Sequence, residues 1–145
     1  MNDFIEILLK EAKKAYDDNE VPIGSIIVKN NKIVSKAHNL KETKNNVLCH
    51  AELLAINKAC NELKNWRLND CILYTTLFPC PMCASAIQQA RIKKVVYLNN
   101  SNNNFAQNIS NEILSNKNSN HQVLIEKLHL EDNLINSFFK KIRDN

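Results

Sequence analysis

The chain has 145 residues, 44% of them apolar and 23% charged, enough to bury one core without disulfide staples and short for two domains. Its formal net charge of +4 permits a polyanionic partner without demanding one. Five cysteines, an odd number with no secretory pattern ahead of them, argue against a disulfide scaffold and for a reducing, cytoplasmic setting; no apolar run approaches the ~20 residues that span a bilayer, so no membrane insertion is expected.

In chain order, Phe4, Ile5, Leu8, Leu9, Ala12 and Ala15 recur at helical spacing and predict an amphipathic helix over residues 1–17 that packs on a sheet. Residues 22–28 form a short apolar run closed by Asn30-Asn31, and residues 32–35 resume it, the pattern of two antiparallel strands with a tight turn. With Gly24 the only glycine, asparagines must serve where φ is positive, and Asn30-Asn31 is such a place. Ala51, Leu54, Ala55 and Ala59 mark one face of a helix reaching about Leu63.

Residues 71–77 read as a strand, 81–90 as a helix with Pro81 in its first turn, and 94–98 as a further strand. Strand, helix and strand within so short a stretch predict a βαβ unit and a parallel pair. The Asn- and Ser-rich stretch 99–120 reads as a loop with one short helix, 122–125 as a fifth, edge strand. Leu130, Leu134, Ile135, Phe138, Phe139 and Ile142 predict a closing amphipathic helix. No repeat, linker or second domain interrupts residues 1–145.

Chemistry is concentrated in His50-Ala51-Glu52 and Pro79-Cys80-Pro81-Met82-Cys83. Catalytic zinc takes three protein ligands and leaves a fourth position open, and one His with two Cys is an established set, so His50, Cys80 and Cys83 are the expected ligands. Cys80 and Cys83 stand at the start of a helix, whose positive end favours the thiolates that bind metal. Glu52, two residues from His50 on a helix, is placed beside the ion rather than on it, as a proton shuttle. Zinc brings the pKa of a water to about 7, and a positioned general base adds about 10²–10⁴-fold. The bland alternative is a structural zinc knuckle, which needs a fourth donor; Cys49, Cys60, Cys71, His38 and His121 are the nominees, and none but Cys49 sits at ordinary spacing. His-x-Glu followed by Pro-Cys-x-x-Cys is the zinc deaminase signature.

On these motifs the chain resembles the bacterial tRNA-specific adenosine deaminases of the cytidine deaminase-like superfamily. Val21-Pro22-Ile23-Gly24, Asn65-Trp66-Arg67-Leu68, Ala90-Arg91-Ile92, Val95-Val96-Tyr97, Asn120-His121 and Ser137-Phe138-Phe139 match the family's landmarks in order. The resemblance implies a three-layer α/β/α fold with a mixed five-stranded sheet, one zinc ion per chain, and hydrolysis of the wobble adenosine of a tRNA anticodon stem-loop to inosine by a cytoplasmic homodimer. It places Asn39 on the flipped base and groups Ile23, Leu48 and Phe138 with it as substrate-binding residues. Without the family, Asn39 reads first as an Asn ending a strand, and Ile23 and Leu48 are equally core. Lys140, Lys141 and Arg143 stand where the family carries basic residues near RNA, or form a solvated helix end. The strongest rival function is deamination of a free base or nucleotide such as guanine, cytosine or deoxycytidylate; a silent zinc-bearing RNA-binding subunit is a third. Two departures stand out: Phe78 replaces the family's usual Glu before the Pro-Cys pair, where the helix start is expected to lose a polar anchor, and an Asn-rich run follows the fourth strand.

Overall fold

The computed structural model describes residues 2–129. The order of elements is α1 (Asn2–Asp17), β1 (Gly24–Lys29), β2 (Lys32–His38), α2 (Ala51–Leu63), β3 (Cys71–Leu77), α3 (Pro81–Gln89), β4 (Lys94–Asn99), α4 (Asn104–Ser115) and β5 (Leu124–Lys127). The closing helix expected beyond residue 129, with Phe138, Lys140, Lys141 and Arg143, lies outside the described residues. Among those described, no helix is long and apolar enough to cross a membrane.

The five strands form one sheet in the order β2-β1-β3-β4-β5. β1 runs antiparallel to both β2 and β3, while β3, β4 and β5 are parallel, so the sheet is mixed as expected. Asn30 and Asn31, both at positive φ (52° and 62°), close the β1–β2 hairpin. Such a turn suits the twist of the flanking strands. Asparagine fills four of the seven non-glycine positive-φ positions among the described residues, namely Asn19, Asn30, Asn31 and Asn45.

Alternation along the strands sorts their side chains onto two faces. Ile26, Val28, Tyr74, Val96 and Leu98 meet Ile5, Leu8 and Leu9 of α1 on one face. Ile27, Leu73 and Val95 meet Ala55 and Ala59 of α2, Ala84 and Ile87 of α3 and Leu114 of α4 on the other. The result is three layers, α/β/α. Each fully buried Leu or Ile here contributes about 1.5–3 kcal/mol by leaving water.

α4 is the helix expected within the Asn- and Ser-rich stretch, and it is longer than the short one read there. Twelve residues are helical, with the Asn103 side chain accepting a hydrogen bond from the Ala106 N–H at 3.0 Å as an N-cap. Phe78, in turn, is no exposed substitute for an acid. It is buried, meets the Tyr97 ring edge-on at 4.7 Å, and donates its backbone N–H to the Asn99 carbonyl at 2.8 Å. Apolar packing thus secures the approach to α3, where the sequence suggested a lost polar anchor.

Gly24 is where α1 lies directly on β1. A Cβ there would sit 2.6 Å from the Leu8 carbonyl oxygen and 2.8 Å from the Ala12 nitrogen, both backbone atoms that cannot swing aside. Gly24→Ala is therefore expected to destabilise the protein by at least about 1–3 kcal/mol, read as a lower thermal midpoint in calorimetry. An unchanged midpoint would show that α1 can shift without cost.

Candidate metal centre and active site

Two helix starts converge at the carboxyl end of β3. His50 is the N-cap of α2 and Cys80 the N-cap of α3, both in extended conformation, and neither side chain is used to cap its helix. Both are thereby free to point at a shared centre, under the positive ends of two helix dipoles. Pro79 is fully buried and Pro81 occupies the first turn of α3, which fixes the backbone on each side of Cys80. Cys83 lies one turn further on and is completely buried.

His50 Nδ1 is 3.6 Å from Cys80 Sγ and 3.5 Å from Cys83 Sγ. All three donor atoms lie within 4.8 Å of one another, and they form the one such His/Cys/Asp/Glu group among the described residues. Zinc bonds of about 2.3 Å to sulfur and about 2.0 Å to nitrogen, meeting at a tetrahedral angle, separate those donors by about 3.5 Å. The donor set and its spacing fit zinc.

The three donors perturb one another strongly. A hydrogen bond from Cys83 draws the Cys80 thiol down to about 4, against burial and with help from His50. The same contact with Cys80, together with burial, pushes the Cys83 thiol upward. The Cys80 hydrogen bond raises the His50 imidazole.

Glu52 stands in the first turn of α2, buried to 4% exposure, and its Oε1 has no hydrogen-bond partner. Burial pushes its carboxyl up to about 7, opposed by its own backbone N–H and by Cys83. An orphaned buried carboxylate oxygen costs stability and persists where chemistry requires it.

The other nominated donors are occupied elsewhere. His38 Nδ1 pairs with Glu11 Oε1 at 3.1 Å, His121 Nε2 lies 2.7 Å from the Ile92 carbonyl, and Cys60 Sγ is 3.9 Å from the Trp66 carbonyl. Cys71 is buried in the core and Cys49 is not in the cluster. Asn39, just after β2, is 5% exposed. Its backbone N–H donates to the Ile23 carbonyl at 3.0 Å, its Nδ2 to the Val21 carbonyl at 3.4 Å, and its Oδ1 accepts the Lys41 N–H at 3.1 Å. An amide has two hydrogens and two oxygen lone pairs, so these bonds orient Asn39 without exhausting it. A backbone bond from Leu40 N to Cys49 O, 3.0 Å, closes the connection between Asn39 and His50 and brings its two ends together. Ile23 is half-buried and Leu48 is 57% exposed.

The sequence reading did not single out Glu20. Its buried carboxylate reaches across to that connection, and no motif signals a contact made between separate loops.

The family model for the cytidine and deoxycytidylate deaminase zinc-binding region matches residues 1–99. The tRNA-specific adenosine deaminase of Bacillus subtilis (strain 168) is 38% identical over 143 residues, 97% of this chain and 89% of that protein. That of Aquifex aeolicus (strain VF5) is 42% identical over 144 residues, 98% of this chain and 95% of that one. The chain belongs to the tRNA-specific adenosine deaminase family of zinc-binding deaminases. A solved structure from a study of A-to-I editing by tRNA:A34 deaminases at the wobble position of transfer RNA superposes with a TM-score of 0.79 at 32% identity, covering 88% of this chain and 98% of that one. The X-ray structure of guanine deaminase from Bacillus subtilis superposes with a TM-score of 0.68 at 32% identity, covering 99% and 94%. Membership in the family accounts for the mixed sheet and for the His-Cys-Cys cluster at its carboxyl end.

Proposed function

We propose that this chain is a single zinc-dependent hydrolase domain, working as a cytoplasmic homodimer with one ion per chain, that converts adenosine to inosine at the wobble position of a tRNA anticodon. The observation that carries the reading is the conjunction of three metal donors at zinc spacing with a buried carboxylate oxygen, Glu52 Oε1, that has no other occupation. Its extension to tRNA draws on the relatives named above.

His50, Cys80 and Cys83 would hold a zinc ion, which would supply a Lewis acid able to bring the ionisation of water near neutral pH. Glu52 Oε1 takes one proton from the attacking water and delivers it to the purine ring nitrogen, then takes the second from the hydroxyl now on the ring carbon and passes it to the departing amine, leaving a carbonyl. The water oxygen ends on the ring carbon, the carbon–nitrogen bond breaks, and ammonia leaves. Asn39 holds the purine edge with the part of its amide left free, and Ile23 and Leu48 wall the base and exclude water. Phe138 belongs to the same substrate set by resemblance.

Deamination of a free base is the second reading, favoured by the likeness to guanine deaminase over nearly the whole chain. Salt separates the two. Binding of a single-stranded RNA loop releases counterions and weakens steeply as salt rises, whereas capture of a neutral base does not. Purified protein is expected to form inosine in an anticodon stem-loop with a KM that climbs with salt, and to leave free guanine and adenosine unchanged, as read by chromatography of digested product. Turnover of the free bases with no inosine in the hairpin would reverse the assignment.

A further inference from the structure

We infer that Glu20 is a positioning residue for the nucleobase pocket: its carboxylate fastens the connection between β2 and α2 in the shape that presents Asn39 to the substrate, an inference that rests on the deaminase reading above. Glu20 follows α1 in sequence and is 5% exposed. Its Oε1 accepts the Glu42 N–H at 3.0 Å, and its Oε2 accepts both the Thr43 N–H and the Thr43 hydroxyl at 2.6 Å. The residues immediately after it hold Asn39, through the Val21 and Ile23 carbonyls. Residues 20–23 therefore grip residues 39–43 through five hydrogen bonds, three to the carboxylate and two to backbone carbonyls.

That connection contains neither helix nor strand: it is a series of turns closed by backbone bonds from Lys44 to Leu40, Asn45 to Glu42, Asn46 to Lys41 and Cys49 to Asn46. It begins with the residue proposed to read the base, passes through Leu48, and ends at the metal donor His50. Those backbone bonds shape the turns, and the bonds from residues 20–23 fix where the turns sit; ordering each residue of such a segment costs about 1–2 kcal/mol. An acceptor-only group facing two consecutive backbone N–H donors is what the geometry needs. Burial works to raise the Glu20 carboxyl, but the Thr43 hydroxyl and the N–H groups of Glu42 and Thr43 outweigh it and hold it below the ordinary carboxylate range, so the group stays ionised. A glutamine there would turn an NH₂ toward donors on one side.

A staple that served stability alone would lower the thermal midpoint without regard to what Asn39 does. A positioning role couples the two residues, and a double-mutant cycle reads that coupling. Glu20→Gln is expected to keep full zinc content by mass spectrometry and to lower kcat/KM on an anticodon stem-loop by about 10²-fold, the cost of a misplaced contact. In an Asn39→Ala background the same change is expected to cost less than about threefold, because the group it positions is gone. Thr43→Val removes only the hydroxyl bond, with an expected loss of about fivefold and the same non-additivity; it carries the cycle if Glu20→Gln does not fold. Equal losses in both backgrounds, wild-type kinetics in both variants, or zinc depletion in step with lost activity would overturn the inference. A wild-type protein that makes no inosine in the stem-loop would overturn the deaminase reading itself, a different result from wild-type turnover that Glu20→Gln leaves intact.

Discussion

Glu52→Gln protein is expected to bind zinc as the wild type does and to lose about 10²–10⁴-fold or more in the rate of inosine formation, the contribution of a positioned general base. The substitution keeps the size and shape of a side chain that is almost wholly buried, and it removes only the capacity to accept and return a proton. Glu52 is not among the three donors that face one another within 4.8 Å, so the metal site should survive. Stability should survive too. Burial already disfavours the ionised form, pushing the carboxyl up to about 7, and Oε1 satisfies no donor of the fold. A neutral amide relieves that strain, so the thermal midpoint should equal or exceed that of the wild type, the pattern of a group kept for function at the expense of the fold. Metal analysis and single-turnover kinetics on the same preparation check both halves. Zinc loss would make Glu52 a ligand; undiminished turnover would remove it from the mechanism.

How much of this was legible in the residues follows their physics. The β1–β2 hairpin was visible because an apolar run, a pair of asparagines able to take positive φ, and a second run leave few alternatives. The βαβ unit was visible because Pro81 marks a helix start between two β-rich runs. The cluster was legible because metal donors are rare and their spacing on a helix is restrictive. α4 was legible only in part: a short helix was expected there but not its twelve-residue span, although the inward positions Ala106, Ser110, Ile113 and Leu114 keep helical spacing. A serine fills one of them, and the asparagines around it are poor helix formers, so packing and the Asn103 cap decide the helix rather than propensity. At Phe78 the loss of a polar anchor was legible, but its apolar replacement was not, because the Tyr97 ring that packs against it lies on β4. Glu20 was illegible because the partners of a buried carboxylate lie more than twenty residues away, in a segment without periodicity.

Removing a ligand should produce the other large effect. Cys83→Ser protein is expected to lose its zinc and all measurable deamination, and to melt below the wild type, because an ion that binds only the folded chain stabilises it in proportion to its affinity, by about 4 kcal/mol when free zinc is a thousandfold above Kd. A chelator should therefore lower the wild-type midpoint and leave that of Cys83→Ser where it is. Serine is a fair substitute in size, but at neutral pH its hydroxyl is not the anionic soft donor that zinc takes from cysteine. Cys49→Ser is the informative control. Cys49 adjoins His50 yet stands outside the cluster. If it were a fourth donor closing the coordination sphere, its loss would release zinc as the loss of Cys83 does, and no position would be open for water. Retention of metal and turnover by Cys49→Ser, set against the loss of both by Cys83→Ser, separates a catalytic centre of three donors from a structural one of four.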